Sequence, residues 1–280
     1  MMKNILIPTD FSENSWNAIL YALSFFKKMR CNFYVLHVSP YNEMIGRAPF
    51  HETKDTILEN ITHTDHEHMQ LLLKKIQKLP LNPKHRFFTL NEYVFFIDAI
   101  RKQVEDKEID FIVMGTKGAS GLKEKTIGSN TGDVITKVKC PVLVIPEKAK
   151  YTKPKEIAFP TDYNLLYKSR ILNTITSVLS INSAALRILH IAKKEQELTD
   201  LQKKNKSFLD DYLEDDIEHS FHFLSNPNIE EAVQCFVESR NIDMITMIAK
   251  NLNFFQRILF HPIVEKISYH TDVPFLVLHE

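Results

Sequence analysis

The 280-residue sequence states its plan twice. Residues 3–10 read KNILIPTD and residues 155–162 read KEIAFPTD; 33–40 read FYVLHVSP and 186–193 read LRILHIAK. Later come IDFIVMG (109–115) and IDMITMI (242–248), then CPVLVIPE (140–147) and VPFLVLHE (273–280). From Ile109 to Glu147 the correspondence with Ile242 to Glu280 runs without a gap. A repeat this long makes each unit a domain, not one turn of a solenoid. The expected division is 1–150 and 151–280, with the lysine-rich, proline-containing EKAKYTKPK (147–155) as linker.

Short apolar runs closed by Pro-Thr-Asp read as buried parallel strands with loops at their carboxyl ends. Between them lie helical patterns. Ser12, followed by apolar Trp16, Ile19, Leu20, Leu23 and Phe26, predicts a capped amphipathic helix. Residues 53–78 and 194–214 predict longer, more polar helices, and 93–106 and 228–240 shorter ones. Alternating strands and helices predict an α/β fold: in each half an open five-stranded parallel sheet with helices on both faces, of the Rossmann-like kind.

The chain holds six glycines, and five of them (Gly115, Gly118, Gly121, Gly128, Gly132) fall within 115–132. The cluster begins at the end of the fourth strand. Ligands bind beyond strand carboxyl ends, where strand order reverses. Glycines there let backbone N–H groups approach an anion, and Ser129 or Asn130 can cap a helix whose N-terminus adds partial positive charge. Lys117, Lys123 and Lys125 supply charge nearby. These features predict a phosphate cradle. It is neither a Walker A loop nor the Gly-x-Gly-x-x-Gly dinucleotide turn.

The spacing Gly115-x2-Gly118-x9-Gly128-Ser129 resembles the signature of the ATP-binding universal stress proteins, and the resemblance extends over both halves. It implies an adenine-nucleotide site. Asp10 would meet the ribose or adenine region and Val38 would offer backbone groups to the adenine. Gly115, Lys117, Gly118, Gly128, Ser129 and Asn130 would surround the phosphates, with Mg or Mn shared among phosphate oxygens. In the family, dimers pair across the last strands; here PVLVIP and PFLVLH would do so within one chain as an internal pseudo-dimer, a further homodimer being left open. Asp10 has a second reading as a helix cap.

In the second half the glycine positions carry Ile248, Asn251 and His261, and Pro262 replaces Ser129. Branched and ringed side chains would fill a triphosphate's space. The expectation is one nucleotide site and one degenerate domain.

The remaining signals are weaker. His63 and Glu67 are four apart on a helix, but with no second ligand pair they read as a solvated face. His37 and His190 recur at one strand position and read as structural. Three dispersed cysteines suggest reduced thiols and a cytoplasmic protein. No run is long enough to span a membrane. The 35 basic and 35 acidic residues cancel, giving no field for nucleic acid or an anionic bilayer. No positioned base or arginine suggests a hydrolytic machine. A regulatory ATP-binding stress protein is therefore expected. A slow ATP-hydrolysing enzyme and a ligand-free interaction module stand as alternatives; the Ser-Gly-Gly loop of the ATP pyrophosphatases is absent after the first strand.

Overall fold

The computed structural model describes residues 2–39, 54–116, 129–194, 196–213, 217–249 and 273–279. They form two compact units that part between Glu147 and Lys148.

The first unit contains β1 (Met2–Pro8), α1 (Glu13–Phe25), β2 (Arg30–Val38), α2 (Lys54–Gln77), β3 (His85–Glu92), α3 (Phe96–Asp106), β4 (Phe111–Gly115), α4 (Ser129–Lys137) and β5 (Val142–Ile145). Its strands lie in the order β3-β2-β1-β4-β5, and every neighbouring pair is parallel. Ile5, Leu6 and Ile7 of β1 and Ile112 and Val113 of β4 are fully buried, as expected of strands covered on both faces. β3, at the edge, exposes Phe88 against Tyr34, their rings 5.0 Å apart. Right-handed crossovers, the rule for parallel connections, put α1 and α2 on one face and α3 and α4 on the other.

The local chemistry accounts for the helices. Ser12 caps α1, its hydroxyl accepting from the Ser15 N–H at 3.2 Å. The α1 face with Ala18, Ile19, Ala22 and Phe25 is buried; each large apolar side chain buried contributes about 1.5–3 kcal/mol. On α2, Ile61, Asp65, Met69, Leu72 and Ile76 make one buried stripe at helical spacing. The predicted helix over 53–78 thus runs from Lys54 to Gln77.

The second unit contains β6 (Glu156–Pro160), α5 (Ser169–Asn182), β7 (Ala185–Ala192), α6 (Asp200–Leu213), β8 (His219–Ser225), α7 (Ile229–Ser239), β9 (Met244–Ile248) and β10 (Phe275–Leu278). Its strands repeat the order, β10-β9-β6-β7-β8, again all parallel. Two details show the duplication at the level of single bonds. Asp110 accepts from the Asn4 N–H at 2.8 Å and pairs with Lys3 at 2.7 Å; Asp243 accepts from the N–H groups of Lys155 and Glu156 at 2.7 and 3.0 Å. After α3 and α7 the chain turns through left-handed Glu108 (φ 47) and Asn241 (φ 50). There Ile109 and Ile242 donate back to the carbonyls of Val104 and Val237. Among the described residues no helix is long and apolar enough to cross a membrane.

Candidate functional site: the strand-end crevice of the first unit

Strand order reverses between β1 and β4, so the crevice lies above their carboxyl ends. Four segments frame it: Thr9–Ser12 after β1, Val38–Ser39 after β2, Gly115–Thr116 after β4, and the first turn of α4.

The Thr9–Ser12 turn is held from within. Thr9 N–H donates to the Leu36 carbonyl at 2.8 Å, and the Thr9 hydroxyl accepts from the Phe11 N–H at 3.1 Å. Phe11 sits at φ 62, a strained position for a non-glycine residue. One Asp10 carboxylate oxygen accepts from both the N–H (3.1 Å) and the hydroxyl (2.5 Å) of Ser12. The cap of α1 is therefore Ser12, and Asp10 braces the cap from a half-buried position at the crevice.

Gly115 closes β4 where three elements meet. Its carbonyl accepts from the Thr131 hydroxyl at 2.8 Å, which ties β4 to α4. A Cβ placed on Gly115 would lie 2.8 Å from the side-chain carbon, nitrogen and oxygen of Asn14 in α1. Asn14 thus occupies the room that this glycine leaves. Ser129 and Asn130 open α4 and are exposed. Lys117, Gly118 and Gly128, with Lys123 and Lys125, lie outside the described residues.

Val38 ends β2 opposite Glu92 and is flanked by two pinned neighbours. His37 Nδ1 faces the Thr9 carbonyl at 2.9 Å and so carries a hydrogen. Its Nε2 lies 3.3 Å from Asp65 Oδ1 and 3.2 Å from the Ser39 hydroxyl. Ser39 donates its hydroxyl hydrogen to Asp65 Oδ2 at 2.5 Å and its N–H to the Glu92 carbonyl at 3.0 Å. The Phe11 ring sits 4.5 Å from the His37 ring and 5.2 Å from that of His68. Burial first, and then the Asp65 charge, push the Tyr93 hydroxyl pKa upward.

Asn14, Asp65 and Thr131 were not anticipated from sequence. Asp65 had a readable signal, a carboxylate in register with an apolar stripe. Asn14 and Thr131 had none, because each partner lies in another element.

The second unit keeps the frame and fills the space. Thr161 N–H donates to Leu189, and His190 Nδ1 faces the Thr161 carbonyl at 3.1 Å, as in the first unit. Tyr163 repeats the positive φ of Phe11, at 57, but is fully buried and stacks on His190 at 5.2 Å. Gln202 and Asn205 of α6 donate to the carbonyls of Asp162 and Tyr163 at 2.8 and 2.7 Å. α5 begins at Ser169, seven residues after Asp162, whereas α1 begins three after Asp10. Leu166, in the stretch before α5, is exposed, while Ile248, matching Gly115, is buried. Asn251, His261 and Pro262 lie outside the described residues.

Among the described residues no three His, Cys, Asp or Glu side chains converge as metal ligands. His63 and Glu67 approach to 3.8 Å on an exposed face. Cys31 is buried, and burial pushes its thiol pKa up to about 12, so it is no nucleophile.

A family model described as the universal stress protein family matches residues 1–146. A universal stress protein of Methanocaldococcus jannaschii is 31% identical over 157 residues, spanning 54% of this chain and 85% of that protein. A second from the same organism is 29% identical over 161 residues, spanning 53% and 97%. The crystal structure of a universal stress protein from Archaeoglobus fulgidus covers 99% of this chain and 96% of its own, with a TM-score of 0.67 at 20% identity, a likeness of fold alone.

Proposed function

The chain belongs to the universal stress protein family, and on that premise we propose that its first unit binds ATP and serves a regulatory role. The observation that carries this reading is the join of two features: a strand-order reversal between β1 and β4, and a glycine-spaced segment that departs from the end of β4. Asp10 meets the ribose, and Val38 presents its backbone to the base. Gly115, Lys117, Gly118, Gly128, Ser129 and Asn130 surround the phosphates. The opening turn of α4, with Ser129 and Asn130 exposed, offers the N-terminal N–H groups and the positive end of a helix dipole to an anion. The cation, Mg or Mn, would be held by phosphate oxygens. The second unit carries no nucleotide. Tyr163, Gln202 and Asn205 fill or close the corresponding turn, which supports that assignment.

The test is direct. Purified protein is denatured, and the supernatant is examined by absorbance and mass for nucleotide; stripped protein is then titrated calorimetrically with MgATP. One ATP per chain is expected. Saturation at two per chain, or no heat and no released nucleotide, refutes the reading. Turnover of MgATP above about 1 s⁻¹ would make the protein an ordinary enzyme instead.

A further inference from the structure

We propose that Asp65 is a positioning residue for the crevice: from α2 it clamps the ends of β1 and β2, and thereby sets the two segments that meet the nucleoside. This rests on the nucleotide reading above.

Asp65 is 7% exposed and shares its helix face with Ile61, Met69 and Leu72. A carboxylate in such a place loses its hydration and persists only where protein groups replace that hydration. Among the described residues they come from the end of β2 and the residue after it. Ser39 donates to one carboxylate oxygen and His37 Nε2 faces the other. Val38 stands between these two residues, so its backbone is fixed from both sides. His37 carries the restraint onward through Nδ1 to the Thr9 carbonyl, one residue before Asp10. His68, three residues beyond Asp65, faces the Phe11 ring and holds the same turn from its other side. A single helix therefore governs both Val38 and the Asp10 turn.

The second unit provides an internal control. The histidine–threonine bond recurs there, but α6 reaches the turn with neutral Gln202 and Asn205, which bind the backbone of Asp162 and Tyr163 directly. The acidic clamp accompanies the half with the glycine motif. The neutral clamp accompanies the half without it.

Asp65→Ala removes both acceptors. Asp65→Asn keeps the shape and the acceptor for Ser39, with its amide facing His37 Nε2. Two readouts are made on the full chain, amide hydrogen exchange over residues 9–12 and 36–39, and calorimetric affinity for MgATP. Since leaving the buried Ser39 hydroxyl without its acceptor carries about a tenfold effect or more, Asp65→Ala is expected to bind MgATP about 10–100-fold more weakly and to exchange faster in both segments. Asp65→Asn is expected to stay within about threefold of wild type on both readouts. Wild-type affinity in Asp65→Ala overturns the proposal, and so does equal loss in the two variants. If wild type binds no ATP, the functional reading fails and exchange alone decides. Loosening in Asp65→Ala but not in Asp65→Asn then upholds the clamp, and unchanged protection in both refutes it. Should Asp65→Ala fail to fold, Ser39→Ala, which removes the hydroxyl that bonds Asp65 and faces His37, takes its place with the same expected direction and the same refuting result.

Discussion

Gly115→Ala is the sharpest test of how the crevice is built. The new methyl carbon would sit 2.8 Å from three atoms of the Asn14 carboxamide. Non-bonded carbon contacts settle at about 3.5–4.0 Å, so that group must retreat by roughly 1 Å. Asn14 lies in the first turn of α1 and is 9% exposed, which leaves it little room to withdraw. Overfilling of this kind costs about 1–3 kcal/mol. Asn14→Ala removes all three clashing atoms and keeps the helix. The double variant should therefore regain most of the penalty, with a coupling of about 1 kcal/mol or more between the two sites. Urea unfolding followed by Trp16 fluorescence measures it. Trp16 is the only tryptophan in the chain, two residues from Asn14 and beneath Lys75 Nζ at 4.0 Å, so its signal belongs to the first unit. That matters because a chain of two units need not unfold in one step. A Gly115→Ala cost below about 0.3 kcal/mol, or strict additivity in the double variant, would refute the packing explanation.

Four further outcomes are expected. The Tyr163 hydroxyl is buried without a hydrogen-bond partner among the described residues, so Tyr163→Phe should leave stability within about 0.5 kcal/mol or raise it. Tyr163→Ala should cost about 3–5 kcal/mol, measured by calorimetric melting, because it empties the stack on His190. His85 has its pKa lowered by burial, against the opposing pull of the Phe26 and Met29 carbonyls; its Nδ1 has no partner among the described residues. The unfolded chain then binds the extra proton more readily. The contribution of His85 is complete above about pH 6.5 and is lost as pH falls through that value toward the folded pKa. Trp16-monitored melts should accordingly show a shallower acid loss in His85→Gln than in wild type. Glu108 holds a left-handed turn at φ 47, so Glu108→Gly should stabilise the first unit by up to about 1 kcal/mol in urea unfolding.

Much of the fold could be read from the repeat and its periodicities. The helix expected over 93–106 runs from Phe96 to Asp106, and that over 228–240 from Ile229 to Ser239. The one expected over 194–214 starts later, at Asp200, because Thr199 and Gln202 bond each other at the true helix start. The crevice was legible through its strand ends, since Pro-Thr-Asp and the first glycine announce themselves locally. Asn14 against Gly115, and His37 with Ser39 against Asp65, were not. Each depends on which helix face meets which strand end, which is settled by packing between elements distant in sequence. The delayed start of α5 was also hidden. The hydrogen bonds of Thr9 to Ser15 and of Thr161 to Tyr167 span six residues alike, yet Ser15 already lies within α1 whereas Tyr167 precedes α5.

The aromatic–imidazole contact at the end of β1 has a kinetic corollary. Phe11 is already locked at its positive φ by the His37 ring and the Thr9 hydroxyl before any visitor arrives. The freedom of that turn is surrendered when the chain folds, so the nucleotide proposed to dock beside it would meet no second ordering cost. Encounter on this side of the cleft should resemble a key meeting a cut lock, and the heat capacity of association should reflect the covered ligand surface with little contribution from the turn.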